Sequence, residues 1–213
     1  MTMKFVGACF TMLWSVPLVC VRSESVASEG SSFKITIHIY NYSAVSTKAL
    51  DRAKEEGGRI FKHAGLTVCW LYQDLKAGSS WDPQNLTDTW DQFDFVLRLL
   101  EHARPGLRAY ATGEAFSSRI ANVFLDRVIS QSVLGEIFIG QLLGHAMAHE
   151  IGHLLLGENS HGSYGIMVAS WSKNDMKRMS KGDLLFTSEE IQWVRSEVKR
   201  ASISGRLQLA RVP

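Results

Sequence analysis

Between Val133 and Leu156 the chain is almost entirely apolar or small, and the polar side chains in that stretch are Glu136, Gln141, His145, His149, Glu150 and His153. A helix of this composition belongs in a core. Burying a carboxylate and several imidazoles there costs several kcal/mol unless each is paired or bound to a metal, so the sequence demands partners for them. A membrane span is the wrong home for the same residues, because three His and two Glu would be very costly in lipid. Helical residues four apart sit one above the other, so His149 and His153 can converge on one ion. Gln141 and His145 continue this i, i+4 stripe, which reads as a face lining a cleft. His145 has no Glu after it and reads as a cleft wall or supporting residue rather than a ligand.

The string His149-Glu150-Ile151-Gly152-His153 is an HExxH, and it is followed closely by Gly157 and His161. Histidines at this spacing with a Glu between them form the constellation of zinc hydrolases. Catalytic zinc takes three protein ligands and leaves one position for water, so this helix supplies two and needs one more. Glu150 is one residue round from His149, where its carboxylate can reach a zinc-activated water without ligating the metal. That is the place of a general base. One zinc ion is therefore the expected cofactor.

A chain of 213 residues is long enough for one well-cored domain and too short for two comfortable ones. Lys4 precedes an apolar run from Phe5 to Val21, interrupted by Pro17 and followed by Arg22-Ser23-Glu24-Ser25, which is the layout of a secretory signal peptide. Residues 1–23 are read as that signal, with cleavage after Ser23 or Ala27, and export to periplasm or medium follows. Lipid anchoring at Cys20 fits less well, since Val19 is bulky. Losing Lys4 and Arg22 takes the basic count from 23 to 21, equal to the 21 acidic residues. Neutrality gives no reason to expect nucleic acid, and no hint of side-chain preference in a substrate. Cys9 and Cys20 leave with the signal, so Cys69 stands alone as a buried strand residue with no intramolecular disulfide.

Residues 24–32 form a short linker, 33–201 one domain and 202–213 a loosely held tail. Phe33 to Tyr42 alternates at strand period. Ser46 to Ala64 is an amphipathic helix stopped by Gly65, with Gly57-Gly58 as an internal weakness. Leu66 to Tyr72 is a second strand, making a β-α-β unit with a parallel pair. Gln73 to Asp91 reads as a loop. Further strands are expected at Phe93–Leu100, Leu107–Thr112 and Ile120–Val128, before the long apolar helix. A turn-rich stretch with Gly165-Ile166-Met167 follows. Thr187-Ser188-Glu189-Glu190 then opens a helix to about Ala201 with a T-x-x-E capping box.

This order of elements, with HE-I-GH-LLLG, a Ser-His and a Gly-Ile-Met turn, resembles the metzincin clan of zinc peptidases. More closely, it is similar to small exported bacterial metzincin-like proteins. The resemblance covers roughly residues 33 to 201. It implies His149, His153 and His161 as zinc ligands, Glu150 as general base, Gly157 as the point where the chain doubles back, and Met167 as the turn residue beneath the metal. It further implies an edge strand, by position Leu107 to Thr112, that binds extended substrate by strand addition. The pattern departs from the clan's usual spacing: Gly157 and His161 come later after His153, and the usual spacing would place Asn159, a poor zinc ligand, at the third position. The Tyr that several clan members carry two residues after the Met is Ala169 here. Tyr164 and Tyr110 are the tyrosines left for an oxyanion role. On physical grounds alone Met167 is equally a core residue, and Trp171 equally a cleft rim or packing.

The expected fold is α+β: a twisted mixed sheet of about five strands, a long zinc-binding helix, a Met-turn and a closing C-terminal helix. The expected function is an exported zinc endopeptidase acting on peptide or protein substrates. Two rivals stay open. A gluzincin-type hydrolase would take its third ligand from Asp175 or Glu189, and a non-catalytic exported module would keep zinc for stability and hold peptides on its edge strand.

Overall fold

The computed structural model describes residues 33–43, 45–73, 93–135, 137–157 and 160–209, with 201–209 as backbone. The expected signal peptide, most of the loop expected at Gln73–Asp91, Asn159 and the end of the tail lie outside the described residues. No helix among the described residues is long and apolar enough to cross a membrane.

The architecture is α+β, with five strands in one mixed sheet. Strand β1 (Phe33–Asn41) buries Ile35, Ile37 and Ile39 completely, as its period-2 pattern requires. Helix α1 (Thr47–His63) starts where the Ser46 hydroxyl accepts from the Ala49 N–H at 3.3 Å. It stops at Ala64, ahead of Gly65 with φ +82°. The Gly57 that weakens it in isolation has a packing reason, since a β-carbon there would lie 3.3 Å from the Trp70 ring. Strand β2 (Leu66–Gln73) returns parallel to β1, pairing Phe33 with Leu66, so the β-α-β opening is present as read. Cys69 on this edge strand is free and only half-buried rather than buried.

Strand β3 (Asp94–Leu100) lies parallel on the other side of β1. The remaining strands differ from expectation. Leu107 to Thr112 forms no strand: Gly106 takes φ +89° and the Ala111 N–H folds back to the Arg108 carbonyl at 3.0 Å, so the chain turns there. The strand comes later, as β4 (Gly113–Ser117), antiparallel to β5 (Ile120–Phe124). β5 in turn ends at Phe124 instead of Val128, and the chain passes straight into α2 (Leu125–Gly135). The strand order β2-β1-β3-β5-β4 leaves β4 at one edge.

The long apolar stretch is two helices, because α2 stops at Gly135 and α3 (Ile139–Leu156) begins beyond it. α3 is buried from Gly140 to His153 and crosses α1 closely. Gly140 and Gly144, four apart on one face, make this possible: a β-carbon would lie 2.9 Å from the Ala49 carbonyl oxygen at the first and 2.7 Å from the Ala53 carbonyl oxygen at the second. Each Ile or Leu fully buried between the layers contributes roughly 1.5–3 kcal/mol.

Helix α4 (Lys173–Ser180), absent from the sequence reading, is held by a Ser172/Asp175 capping box of the same kind that opens α5. Helix α5 (Ser188–Leu209) has the expected box, with the Thr187 N–H donating to Glu190 at 2.7 Å and the Glu190 N–H to the Thr187 hydroxyl at 3.2 Å. It continues past Ala201 to Leu209, where a loose tail was expected.

Candidate metal centre

The C-terminal half of α3 carries His149, Glu150 and His153, and the chain leaves the helix at Gly157 with φ +100°, a conformation glycine adopts without strain. Beyond this turn His161 faces back. The three imidazoles offer ligand atoms that all lie within 4.8 Å of one another, and His153 Nε2 is 3.1 Å from both His149 Nε2 and His161 Nε2. Nitrogens held 2.0–2.1 Å from a tetrahedral zinc are about 3.3–3.4 Å apart, and the two distances from His153 are close to that spacing.

The rings are aimed by their other nitrogens. His149 Nδ1 donates to the Ile166 carbonyl at 2.9 Å, which leaves Nε2 as its lone-pair nitrogen when the ring is neutral. His153 Nδ1 sits 3.0 Å from the Ser160 hydroxyl. Burial pushes the His149 pKa down to about 3 and that of His153 to about 4, with neighbouring histidines adding to the shift. Neutral imidazoles are the form that binds metal. His161, more exposed, is lowered by burial and then by the Arg108 charge.

Glu150 is 3 % exposed and its pKa is raised well above the ordinary carboxylate range, first by burial and then by the Glu114 charge. Its stem lies against β4: a β-carbon on Gly113 would be 2.5 Å from Glu150 Cγ. Glu114 is held by Arg104 Nε at 2.9 Å and Asn122 Nδ2 at 3.2 Å, and Asn122 by Arg98 Nε at 2.7 Å. A cleft of about 590 Å³ opens over these groups, walled by the 106–115 segment on one side and Val168 to Trp171 on the other.

Met167 is fully buried within the turn, and a β-carbon on Gly152 would strike its sulfur at 2.5 Å. Trp171 both lines the cleft and packs: its indole N–H donates to the same Ile166 carbonyl at 3.1 Å, and its ring meets His149 edge-on at 5.6 Å. Tyr110 lines the cleft. Tyr164 is more than half exposed and is not part of the cleft lining.

The stripe expected to face the cleft divides. His149 and His153 line it, but Gln141 donates to the Met179 carbonyl at 2.8 Å, and His145 is fully buried with Nε2 3.7 Å from Glu56. The physical reason is helical drift, since four residues at 3.6 per turn overshoot a full turn by about 40° at each step. Glu56 is held in turn by Arg59 Nη2 at 2.7 Å, so this is a polar support between α1 and α3 rather than a cleft wall.

Of the carboxylates considered as ligands, Asp175 is tied into the cap of α4, its Oδ2 accepting from the Ser172 backbone at 2.9 Å. Glu189 is exposed in the first turn of α5. Among the described residues, the grouping of His, Cys, Asp or Glu able to hold a metal is the three histidines. The sequence reading did not find Glu114 or Arg108, whose proximity to the site arises only from the turn before β4. The Ser-His pair at 160–161 is visible in the sequence, while the contact of its serine with His153 arises from the fold.

No model of a known protein family matches the chain, and no curated protein matches it. Among solved structures, the archaemetzincin of Methanopyrus kandleri is similar over 82 % of this chain and 99 % of its own, at 20 % identity and a TM-score of 0.49.

Proposed function

We propose that this chain is an exported zinc-dependent endopeptidase in which His149, His153 and His161 hold the ion and Glu150 is the general base. One observation carries the reading: three neutral imidazole nitrogens converge at the floor of an open cleft, with a buried carboxylate on the next residue of the same helix. Zinc held by His149, His153 and His161 would supply Lewis-acid chemistry, polarising a peptide carbonyl and activating water. Glu150, next to His149 on the same helix, takes the water's proton and returns it to the departing amine. Among the described residues β4 is an edge strand and borders the same cleft, so an extended peptide adds to the sheet with its scissile bond over the histidines. Export rests on the Phe5–Val21 run and its flanks, and the mass of the chain recovered after export tests it.

The deciding experiment measures bound metal and cleavage of an unstructured protein such as casein, for wild type and Glu150→Gln. Near-stoichiometric zinc in both, with cleavage by wild type alone, is expected. Absence of zinc overturns the reading. His161→Ala should lose most of the zinc; full retention would return the third ligand to a carboxylate.

A further inference from the structure

Of the charged side chains that line the cleft, one has neither an ionic partner among the described residues nor a role in the reading above. Glu114 is paired with Arg104, and in that reading Glu150 is the base and the histidines hold the ion. Arg108 also lines the cleft and is exposed there. Its Nη1 donates to the Tyr110 hydroxyl at 2.5 Å and its guanidinium lies 5.8 Å from the centre of that ring. Among the described residues no carboxylate is paired with it. A guanidinium has five N–H donors in a planar fork, and one contact to a neutral hydroxyl leaves most of them, and the whole charge, uncompensated.

The location makes this informative. Arg108 shares the cleft with the three histidines, and a positive charge beside a site for a dication raises the local potential. Such a charge is tolerated most easily where an anion arrives with the substrate. The Tyr110 contact holds the fork in place ahead of binding, so less side-chain entropy is lost when the anion docks. The edge strand on which an extended peptide would lie begins at Gly113, just after the Arg108 turn, so a substrate pairing with β4 passes this guanidinium.

Resting on the peptidase reading above, we propose that Arg108 is a specificity-determining residue that binds a carboxylate of the peptide substrate close to the scissile bond. The carboxylate comes either from an Asp or Glu side chain or from a C-terminus, and both offer the same two oxygens to the fork. Tyr110 positions the guanidinium.

The test is binding to zinc-loaded Glu150→Gln protein, followed through fluorescence of the cleft tryptophan Trp171 or anisotropy of labelled peptides. Matched peptides carry Asp or Asn, and Glu or Gln, at each position in turn, and a second set carries a free or an amidated C-terminus. The acidic member of one set should bind roughly ten- to a hundredfold more tightly, the range of a charge-assisted hydrogen-bonded pair. Whichever set shows the ratio identifies the source of the carboxylate. Adding Arg108→Gln should bring the ratio below about twofold, and Arg108→Glu should invert it in favour of Lys-bearing peptides. Equal binding of acidic and neutral members, a ratio that survives Arg108→Gln, or no peptide binding at all overturns the proposal. So does an equal loss for both members, which would make Arg108 a general contact to the peptide or its carbonyl. Cleavage by wild type is scored separately: an Arg108-dependent ratio without any cleavage sinks the peptidase and keeps the anion site, while cleavage without the ratio does the reverse.

Discussion

Gly152 and Met167 are in contact so close that the helix has no room for a methyl group: a β-carbon on Gly152 would lie 2.5 Å from Met167 Sδ and 3.1 Å from the Phe186 ring. Gly152 is the residue before the second histidine, so the turn carrying Met167 rests directly on the metal-binding segment. Gly152→Ala therefore has to displace the fully buried Met167 side chain, whose chain neighbour Ile166 carries the carbonyl that aims His149. A loss of about 1–3 kcal/mol in stability is expected from overpacking, with weaker zinc retention. Met167→Leu, which nearly conserves volume, should cost under about 1.5 kcal/mol. Urea unfolding with and without zinc measures both, and a Gly152→Ala protein indistinguishable from wild type would show that the Met167 side chain gives way freely.

Gly113 separates binding from chemistry. A β-carbon there would sit 2.3 Å from the Asn122 carbonyl oxygen and 2.5 Å from Glu150 Cγ, so Gly113→Ala displaces either the edge strand or the base. Its nearest contacts belong to Asn122 and Glu150 and to none of the three histidines. Zinc content should stay near that of wild type while kcat for casein falls by roughly a hundredfold, the cost of misplacing a reacting group by about 1 Å. Loss of zinc together with activity would mean that β4 supports the metal site itself.

Much of this arrangement is legible in the sequence because its signals are local. Ile35, Ile37 and Ile39 alternate, Ser46 and Thr187 cap helices, and His149 and His153 are one helical turn apart, so β1, α1, α5 and the core of the site follow from spacing alone. The misses are tertiary or depend on a single break. Nothing apolar distinguishes Leu107–Thr112 from a strand except the turn at Gly106, and the run from Val133 onwards hides the end of α2 at Gly135. Helix α4 carried a readable cap in Ser172 and Asp175, but its polar composition masked it. Glu114 reaches Glu150 only because β4 folds beside α3, a contact no short-range pattern encodes.

Ser160 precedes the third histidine, and its hydroxyl meets the ring of the second, 3.0 Å from His153 Nδ1. A hydroxyl there accepts the Nδ1 proton and holds Nε2 free for the metal. Ser160→Ala should weaken zinc binding by roughly 10- to 100-fold while leaving the zinc-free fold within about 1 kcal/mol of wild type. Competition against a zinc-chelating dye gives the affinity. An unchanged value would mean that the HExxH helix fixes the ring without help.

Acid should act differently on the zinc-free and zinc-loaded proteins, and the sign follows from the direction of each shift. His149 and His153 fall from 6.5 to about 3 and about 4 on folding, so the unfolded chain binds protons that the folded one refuses. Their contribution is fully present above pH 6.5 and is lost as pH falls towards 4. Glu150 acts oppositely, because its raised pKa penalises the folded state as pH climbs above 4.5. Glu150→Gln removes that opposing effect, and zinc-free Glu150→Gln protein should lose stability steadily from pH 7 to pH 4. Protons compete for folded His149 and His153 only near pH 4 and below, so a fall in the increment added by zinc between pH 7 and 5 reports His161. Urea unfolding across this range at fixed free zinc measures the increment. A decline of about tenfold in zinc affinity per pH unit, beginning at 6.5, would show that at least one ligand titrates as an ordinary exposed imidazole, and His161, the least buried of the three, would be the one to substitute first.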